Sequence, residues 1–436
     1  VFYGLTFLPA LLAVLGPNVN RVSLPIVGRR PVSGRGLWHR SANWVMRRPV
    51  VVLLPALAFL LLAGTPFLHL RLANADVDVL PPRLEARQGY DLLIRNFPGQ
   101  DQTGFNVVVH YPTRSPLTSE RIGDQYDLSR RLATVPGVLR VDSFYTADPS
   151  LGRADYQRLL TGGQAQLPEA LRTAMSHAVG KDIVVMTAVS NQPASSDAAR
   201  TILREIRADR VGNGGELLVD GGTAFDVDII NYIIGRTPIA VGFVVLFTYV
   251  VLFLLTGSVV LPLKAVLLNL LSIAASFGAL VWIFQDGHLS GFLAFTPQSI
   301  DPTTPVILFA IVFGMSMDYE VLLVSRIHEE YLRSGDNTHA IAEGLERSGR
   351  LITGAAAIMV AVFLSFGLAE VLIIKSIGLG LAIAVALDAT LVRILVVPAV
   401  MRLMGHANWW APAFLRALYR RAGLGEFGHV RPSEVA

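Results

Sequence analysis

Six long apolar stretches constrain this chain more than any other feature. They run roughly over 49–69, 237–257, 260–284, 303–325, 351–370 and 374–401. Each is long enough, as a helix, to cross a hydrocarbon core of ~30 Å. The first carries no charge from Pro49 to Leu68, and the fifth none from Leu351 to Ala369. Buried core helices of a large soluble protein are the alternative, and six such stretches in 436 residues argue against it. Hydrophobic residues make up 52% and charged residues 16%, whereas soluble domains carry about 25% charge. There is no cysteine, which excludes disulfides, thiolate metal sites and cysteine nucleophiles. No motif calls for a metal or a cofactor. Of 37 basic residues only Lys181, Lys264 and Lys375 are lysine. The arginines gather at membrane flanks, so the net charge of +4 needs no nucleic-acid partner to explain it.

Basic residues in short loops set the orientation. Residues 17–48 hold seven Arg and no acid, which makes them a cytoplasmic linker. The first span, 49–70, then leads outward and leaves 71–235 outside the cytoplasm. Five spans follow over 236–401. Loop 285–301 falls outside with Asp286 and Asp301 and no basic residue, loop 326–350 falls inside with four Arg, and the tail 402–436 falls inside with five. The expected protein is multi-pass in a bacterial plasma membrane. Near the chain start, Leu5-Thr-Phe-Leu-Pro9-Ala10 leads to Gly16; near the other end, Ile394-Leu-Val-Val-Pro398-Ala399 leads to Gly405. Each is followed later by Ala-Asn-Trp, at 42–44 and 407–409. The shared order predicts a duplication, in which 1–16 end the last helix of a preceding N-terminal half.

Residues 71–235 carry 17 basic and 20 acidic residues, as a solvated folded domain would. Strands are expected over Phe105–Tyr111, Val138–Tyr145, Asp182–Ser190 and Glu216–Asp220, and helices over Thr118–Thr134 and Ser195–Asp209. A helical insert is expected near 152–178. The order βαββαβ is ferredoxin-like. The fold class is therefore a polytopic α-helical membrane protein with an inserted α+β extracytoplasmic domain.

Familiar catalytic motifs fail for mechanical reasons. Gly180-Lys181 is followed by Asp182, so there is no Walker A. Gly314-Met-Ser316-Met-Asp318 lacks the final Gly of a nucleophile elbow. His328-Glu329 lacks the second His of a zincin.

The informative residues are charges inside spans. Asp318 lies about two turns from the cytoplasmic end of its span. A charge at mid-bilayer costs roughly 2.5–3.5 kcal/mol on insertion scales. Taking up a proton removes that cost, so Asp318 can act as a proton carrier; a structural Asp that hydrogen-bonds helices together is the plainer reading. Tyr319 can donate its phenol proton to a carboxylate on a neighbouring helix. Gly314, Met315 and Ser316 suit close helix approach. Glu320 is nearer the cytoplasm, where an interfacial carboxylate is the simpler reading. Asp388 is either a second relay group or a strut between helices. On an ideal α-helix Asp388 and Arg393 are ~140° apart, so they are not expected to pair, and Arg393 can snorkel. Ser365 and Asn269 are lone polar residues expected to bond within the bundle.

Phe313-Gly-Met-Ser-Met-Asp318-Tyr319-Glu320-Val-Leu-Leu-Val-Ser-Arg326-Ile resembles the signature of the MMPL family of the RND superfamily. Ser258-Val-Val-Leu-Pro-Leu-Lys-Ala-Val-Leu-Leu-Asn269 and Leu387-Asp388-Ala-Thr-Leu-Val-Arg393 are similar to it as well. The resemblance implies twelve helices in two repeats, two ferredoxin-like porter domains, and proton-driven export of lipids or other hydrophobic compounds. It implies that Asp318 and Tyr319 match the relay pair of the tenth helix; from their places in the spans, Ser316, Glu320, Ser365, Asp388 and Arg393 are candidate supporting residues. The resemblance also implies a facing pair on the fourth helix, in an N-terminal half or in a second copy of this one.

The expected function is thus the C-terminal half of a secondary active transporter, with protons and a lipid or hydrophobic small molecule as partners, and not an enzyme. Two alternatives belong to other classes. One is a non-transporting lipid sensor or receptor on the same scaffold. The other is an intramembrane aspartyl protease using Asp318 and Asp388, whose sequence context here lacks the Gly-x-Gly-Asp pattern.

Overall fold

A computed structural model describes residues 2–16, 37–74, 77–97, 99–112, 115–162 and 167–415. The linker and tail expectations for 17–36 and 416–436 lie outside the described residues. Helices α1 (Phe2–Leu15), α2 (Leu37–Arg47) and α3 (Pro49–Gly64) lead to α4 (Glu85–Asn96). Next come β1 (Thr103–His110), α5 (Ser119–Ala133), β2 (Arg140–Asp142), α6 (Arg153–Thr161), α7 (Glu169–Ala178), β3 (Ile183–Ser190), α8 (Asp197–Ala208) and β4 (Glu216–Asp220). The rest is helical: α9 (Gly222–Thr256), α10 (Val260–Leu280), α11 (Ser290–Leu293), α12 (Thr303–Ser334), α13 (Asn337–Phe366), α14 (Leu372–Leu387) and α15 (Val397–Met404).

Among the described residues, six helical segments are long and apolar enough to cross a membrane. They are Pro49–His69, Gly222–Thr256, Val260–Gln285, Thr303–Ser334, Asn337–Phe366 and Leu372–Trp409. This is a polytopic helical membrane protein. Its apolar interior lies where α10 packs on α3 and α14, and α13 on α12, α14 and α2. The tightest approach is at Gly278. A Cβ there would run into the Ala63 carbonyl of α3, and backbone cannot swing aside as a side chain can. Gly278→Ala is therefore expected to destabilise the protein by about 1–3 kcal/mol or more. Gly242→Ala, in α9 with open space around it, should be neutral or slightly stabilising. Thermal unfolding of the two variants in detergent checks this contrast. Gly314, expected to be a close-approach site, has nothing within 4 Å of a Cβ placed on it. The close approach falls on the small residues of α10 instead.

Outside the six spanning segments lies a four-stranded antiparallel sheet in the order β2-β3-β1-β4. β1 alternates buried and half-buried residues along its length. Its inner face, Phe105, Val107 and Val109, packs on Leu128 and Leu132 of α5 and on Ile202, Leu203 and Ile206 of α8. Ser196 caps α8 by accepting from the Ala199 amide at 3.1 Å. Helices α6 and α7 form the insert and pack Tyr156, Leu160, Leu171 and Met175 against Phe144 and Tyr145. The Tyr145 hydroxyl donates to Gln125 Oε1 at 2.8 Å, and Gln125 Nε2 donates to the Tyr111 hydroxyl at 3.2 Å. Burial pushes the Tyr145 phenol well above its ordinary pKa, so it remains a neutral donor at every physiological pH.

Several boundaries differ from the sequence reading; most of the expected loop 326–350 is helical, because α12 runs on to Ser334 and α13 begins at Asn337. β2 covers three residues of the expected Val138–Tyr145, because Phe144 and Tyr145 turn into the insert core. The last residues assigned to the 71–235 domain are the first turns of α9. The chain passes from β4 into α9 through Gly221, whose φ of 126° favours glycine. The sheet-bearing domain is tied to one end of the spans. Leu72 bridges Ile300, Arg200 Nη2 donates to the Leu72 carbonyl at 2.5 Å, and the Arg71 amide donates to Gln285 Oε1 at 2.7 Å. Gly16 and Gly405, which close the two matching end sequences, both have positive φ, 49° and 52°.

Candidate functional site

The site is built on α12, where three consecutive polar residues point in different directions. Successive helical residues are ~100° apart. Ser316 and Glu320, one turn apart, are buried; Asp318 lies across the helix from Ser316 and is exposed; Tyr319 is half-buried between them.

On the buried side, Ser316 Oγ donates to Asp388 Oδ2 at 2.8 Å. Arg393 donates to the same oxygen from Nε at 3.1 Å and from Nη2 at 2.9 Å, and Nη2 also reaches the Ser316 carbonyl. Asp388 is 5% exposed and Arg393 2%. The expectation that this pair would not meet, and that Arg393 would snorkel, is corrected. Asp388–Val396 is π-helical, so residues five apart lie one turn apart and share a face. Arg393 also stacks over the Tyr319 ring, 4.9 Å from its centroid. The Tyr319 hydroxyl donates to Met359 Sδ of α13 at 3.3 Å, not to a carboxylate.

Glu320 is also corrected. It is 6% exposed, not interfacial, and faces Lys264 Nζ of α10 at 3.5 Å. Sequence reasoning passed over Lys264 as a site residue. The available signal was a lone cation in an apolar span, which needs an acid from another span. Asn269 and Ser272, also on α10, are buried; neither side chain has a hydrogen-bond partner among the described residues, and neither do Lys264 Nζ, Glu320 Oε1 and Arg393 Nη1. Buried polar atoms left over by the protein are characteristically served by water.

On the other side, Asp318 makes no hydrogen bond or ion pair among the described residues. It lines a groove of about 400 Å³ between α9 and α12 with Thr237, Val244, Phe247, Phe309 and Phe313. Ser365 is not part of either group; it is exposed and donates to the Val362 carbonyl of its own helix at 2.6 Å. Asp388 is enclosed by Ser316 and Arg393 instead of Asp318, which is not the apposed carboxylate pair that a two-aspartate protease needs.

A bundle of membrane-crossing helices, bearing a buried ion-paired network on one side of α12 and, on the other, a carboxylate with no partner among the described residues, defines a polytopic membrane protein with ionisable groups in its spans. The MMPL family profile matches residues 78–432, and the chain belongs to that family. It is 32% identical over 449 residues to the trehalose monomycolate exporter MmpL3 of Mycolicibacterium smegmatis, covering 97% of this chain and 42% of that protein. It is 35% identical over 426 residues to membrane protein SCO6666 of Streptomyces coelicolor, covering 97% and 53%. It is 31% identical over 414 residues to the heme uptake protein MmpL11 of Mycobacterium tuberculosis, covering 94% and 40%. The chain thus spans about half the length of the curated relatives it matches.

Proposed function

We propose that the chain is the C-terminal half of a proton-motive-force-driven transporter that exports lipids or other hydrophobic compounds across a bacterial plasma membrane. The observation that carries this reading is Asp318: a carboxylate within a spanning helix, without a partner among the described residues, beside Tyr319 and at the edge of an apolar groove. A carboxylate in that position is costly unless it serves an ion pathway. Asp318 and Tyr319 form the relay pair. The Asp388–Arg393–Ser316 network fixes the Tyr319 ring through its guanidinium, and the Lys264–Glu320 pair and its unpartnered neighbours provide a polar track through the bundle. The face of α12 carrying Asp318 receives the matching helix of an N-terminal half or of a second copy.

The names of the relatives support a hydrophobic cargo: one is a trehalose monomycolate exporter, another a heme uptake protein. The sheet order β2-β3-β1-β4 supports a ferredoxin-like porter domain. The arginine bias supports an extracytoplasmic 71–235 and a cytoplasmic 17–48 and 402–436. The test is energetic. In cells whose ATP supply is maintained, a protonophore should stop cargo from reaching the outer surface within the time needed to collapse the gradient. Export that continues at an undiminished rate would remove the proton from the account and favour another energy source.

A further inference from the structure

Helix α2 lies just before the first span and has two unlike faces. Its inner face is covered: Ala42, Val45 and Met46 are buried, Trp38 packs on Gly349 of α13, and the His39 amide donates to Glu346 Oε2 at 2.7 Å. Its outer face carries Arg40, Trp44 and Arg47, which fall on one side of a helix, with Arg48 at the turn into α3. All four are exposed, Trp44 by 63%. The three arginine side chains have no hydrogen-bond or ion-pair partner among the described residues, and residues 37–48 contain no acid. The stripe runs on into the outward apolar face of α3, where Val50, Val51 and Leu54 are 48%, 65% and 60% exposed.

We propose that this stripe binds the headgroups of anionic phospholipids in the leaflet from which α3 enters the membrane, with Trp44 seated at the headgroup level. Charge complementarity selects the occupant. Three cations without a side-chain partner among the described residues, in a segment that holds no acid of its own, suit a negatively charged surface, and an exposed indole between them suits the membrane–water boundary. Continuity with α3 fixes the distance, because the stripe ends where the lipid-facing surface begins. A soluble acidic partner would not explain an exposed tryptophan flush with that surface. The inference is independent of the transport reading.

The experiment uses the full-length protein in nanodiscs of phosphatidylcholine containing either brominated phosphatidylglycerol or brominated phosphatidylcholine. Quenching of tryptophan fluorescence is read, with Trp44→Phe isolating the Trp44 signal by difference. Phosphatidylglycerol should quench Trp44 in preference to phosphatidylcholine, and high salt should weaken the preference. Each Arg→Gln change at 40, 47 or 48 should reduce it by up to about fivefold. Arg40→Gln/Arg47→Gln/Arg48→Gln should abolish it, while the triple Lys variant, which keeps the charge, should retain most of it. Equal quenching of Trp44 by the two lipids, or a preference that survives the triple Gln change, would overturn the proposal. The Lys variant and Trp44→Phe keep it testable even where the Gln triple folds poorly.

Discussion

Replacing Asp318 with Asn is expected to abolish export by the full-length protein while leaving its abundance in the membrane near normal. Asn keeps the shape of Asp but cannot ionise. Asp318 makes no hydrogen bond or ion pair among the described residues and lines an open groove, so its loss strands no buried partner. What is lost is the proton, and each proton moved down 100 mV supplies ~2.3 kcal/mol. Tyr319→Phe should impair export less completely. It removes the hydroxyl bonded to Met359 but keeps the ring beneath Arg393. Cargo appearance at the cell surface, measured beside immunoblots of the membrane fraction, separates loss of function from loss of protein. Normal export by the Asp318→Asn protein would return Asp318 to a structural role.

Arg393→Met should behave oppositely, failing first in stability. Arg393 and Asp388 are both buried, and Arg393 holds Asp388, the Ser316 carbonyl and the Tyr319 ring together. Removing one member of a buried ion pair leaves the other uncompensated and typically costs about 3–5 kcal/mol. Asp388→Leu should cost a similar amount by stranding the guanidinium. The double variant should recover much of the loss, because replacing both charges with apolar groups removes the desolvation penalty as well. Ser316→Ala, which removes one hydroxyl donor, should cost only about 1 kcal/mol. Melting temperatures of the single and double variants in detergent form the cycle. Additive losses without recovery would show that the two residues act separately.

The spans were legible because twenty apolar residues in a row admit few structures, and Asp318 stood out because a carboxylate in such a run is expensive. The Asp388–Arg393 pair was not. Its i, i+5 spacing is incompatible with an α-helix, and the π-helical segment that brings the two together has no signature in Asp388-Ala-Thr-Leu-Val-Arg393. Glu320 was misplaced for a different reason. Its depth along α12 suggested the interface, whereas its burial depends on Lys264, a residue on another helix. Gly314 and Gly278 show the same limit: small residues in spans look alike in sequence, and only packing distinguishes the one that meets backbone. The start of α9 was hidden by Asp226, Asp228 and Asn231, which read as domain surface. In the structure Asp228 takes both Nη atoms of Arg207 at 2.7 Å, so polar residues tie the first turns of the helix to α8.

The most direct measurement is proton flux. Full-length protein is reconstituted into liposomes of native polar-lipid extract, which supplies hydrophobic cargo as a bilayer component, with a pH-sensitive dye trapped inside. On imposing a pH gradient, the parent should carry protons inward faster than empty liposomes do, and the Asp318→Asn protein should match the empty liposomes. An Asp318→Asn protein that dissipates the gradient as fast as the parent, at equal incorporation, would contradict the assignment of Asp318 as the proton-carrying group.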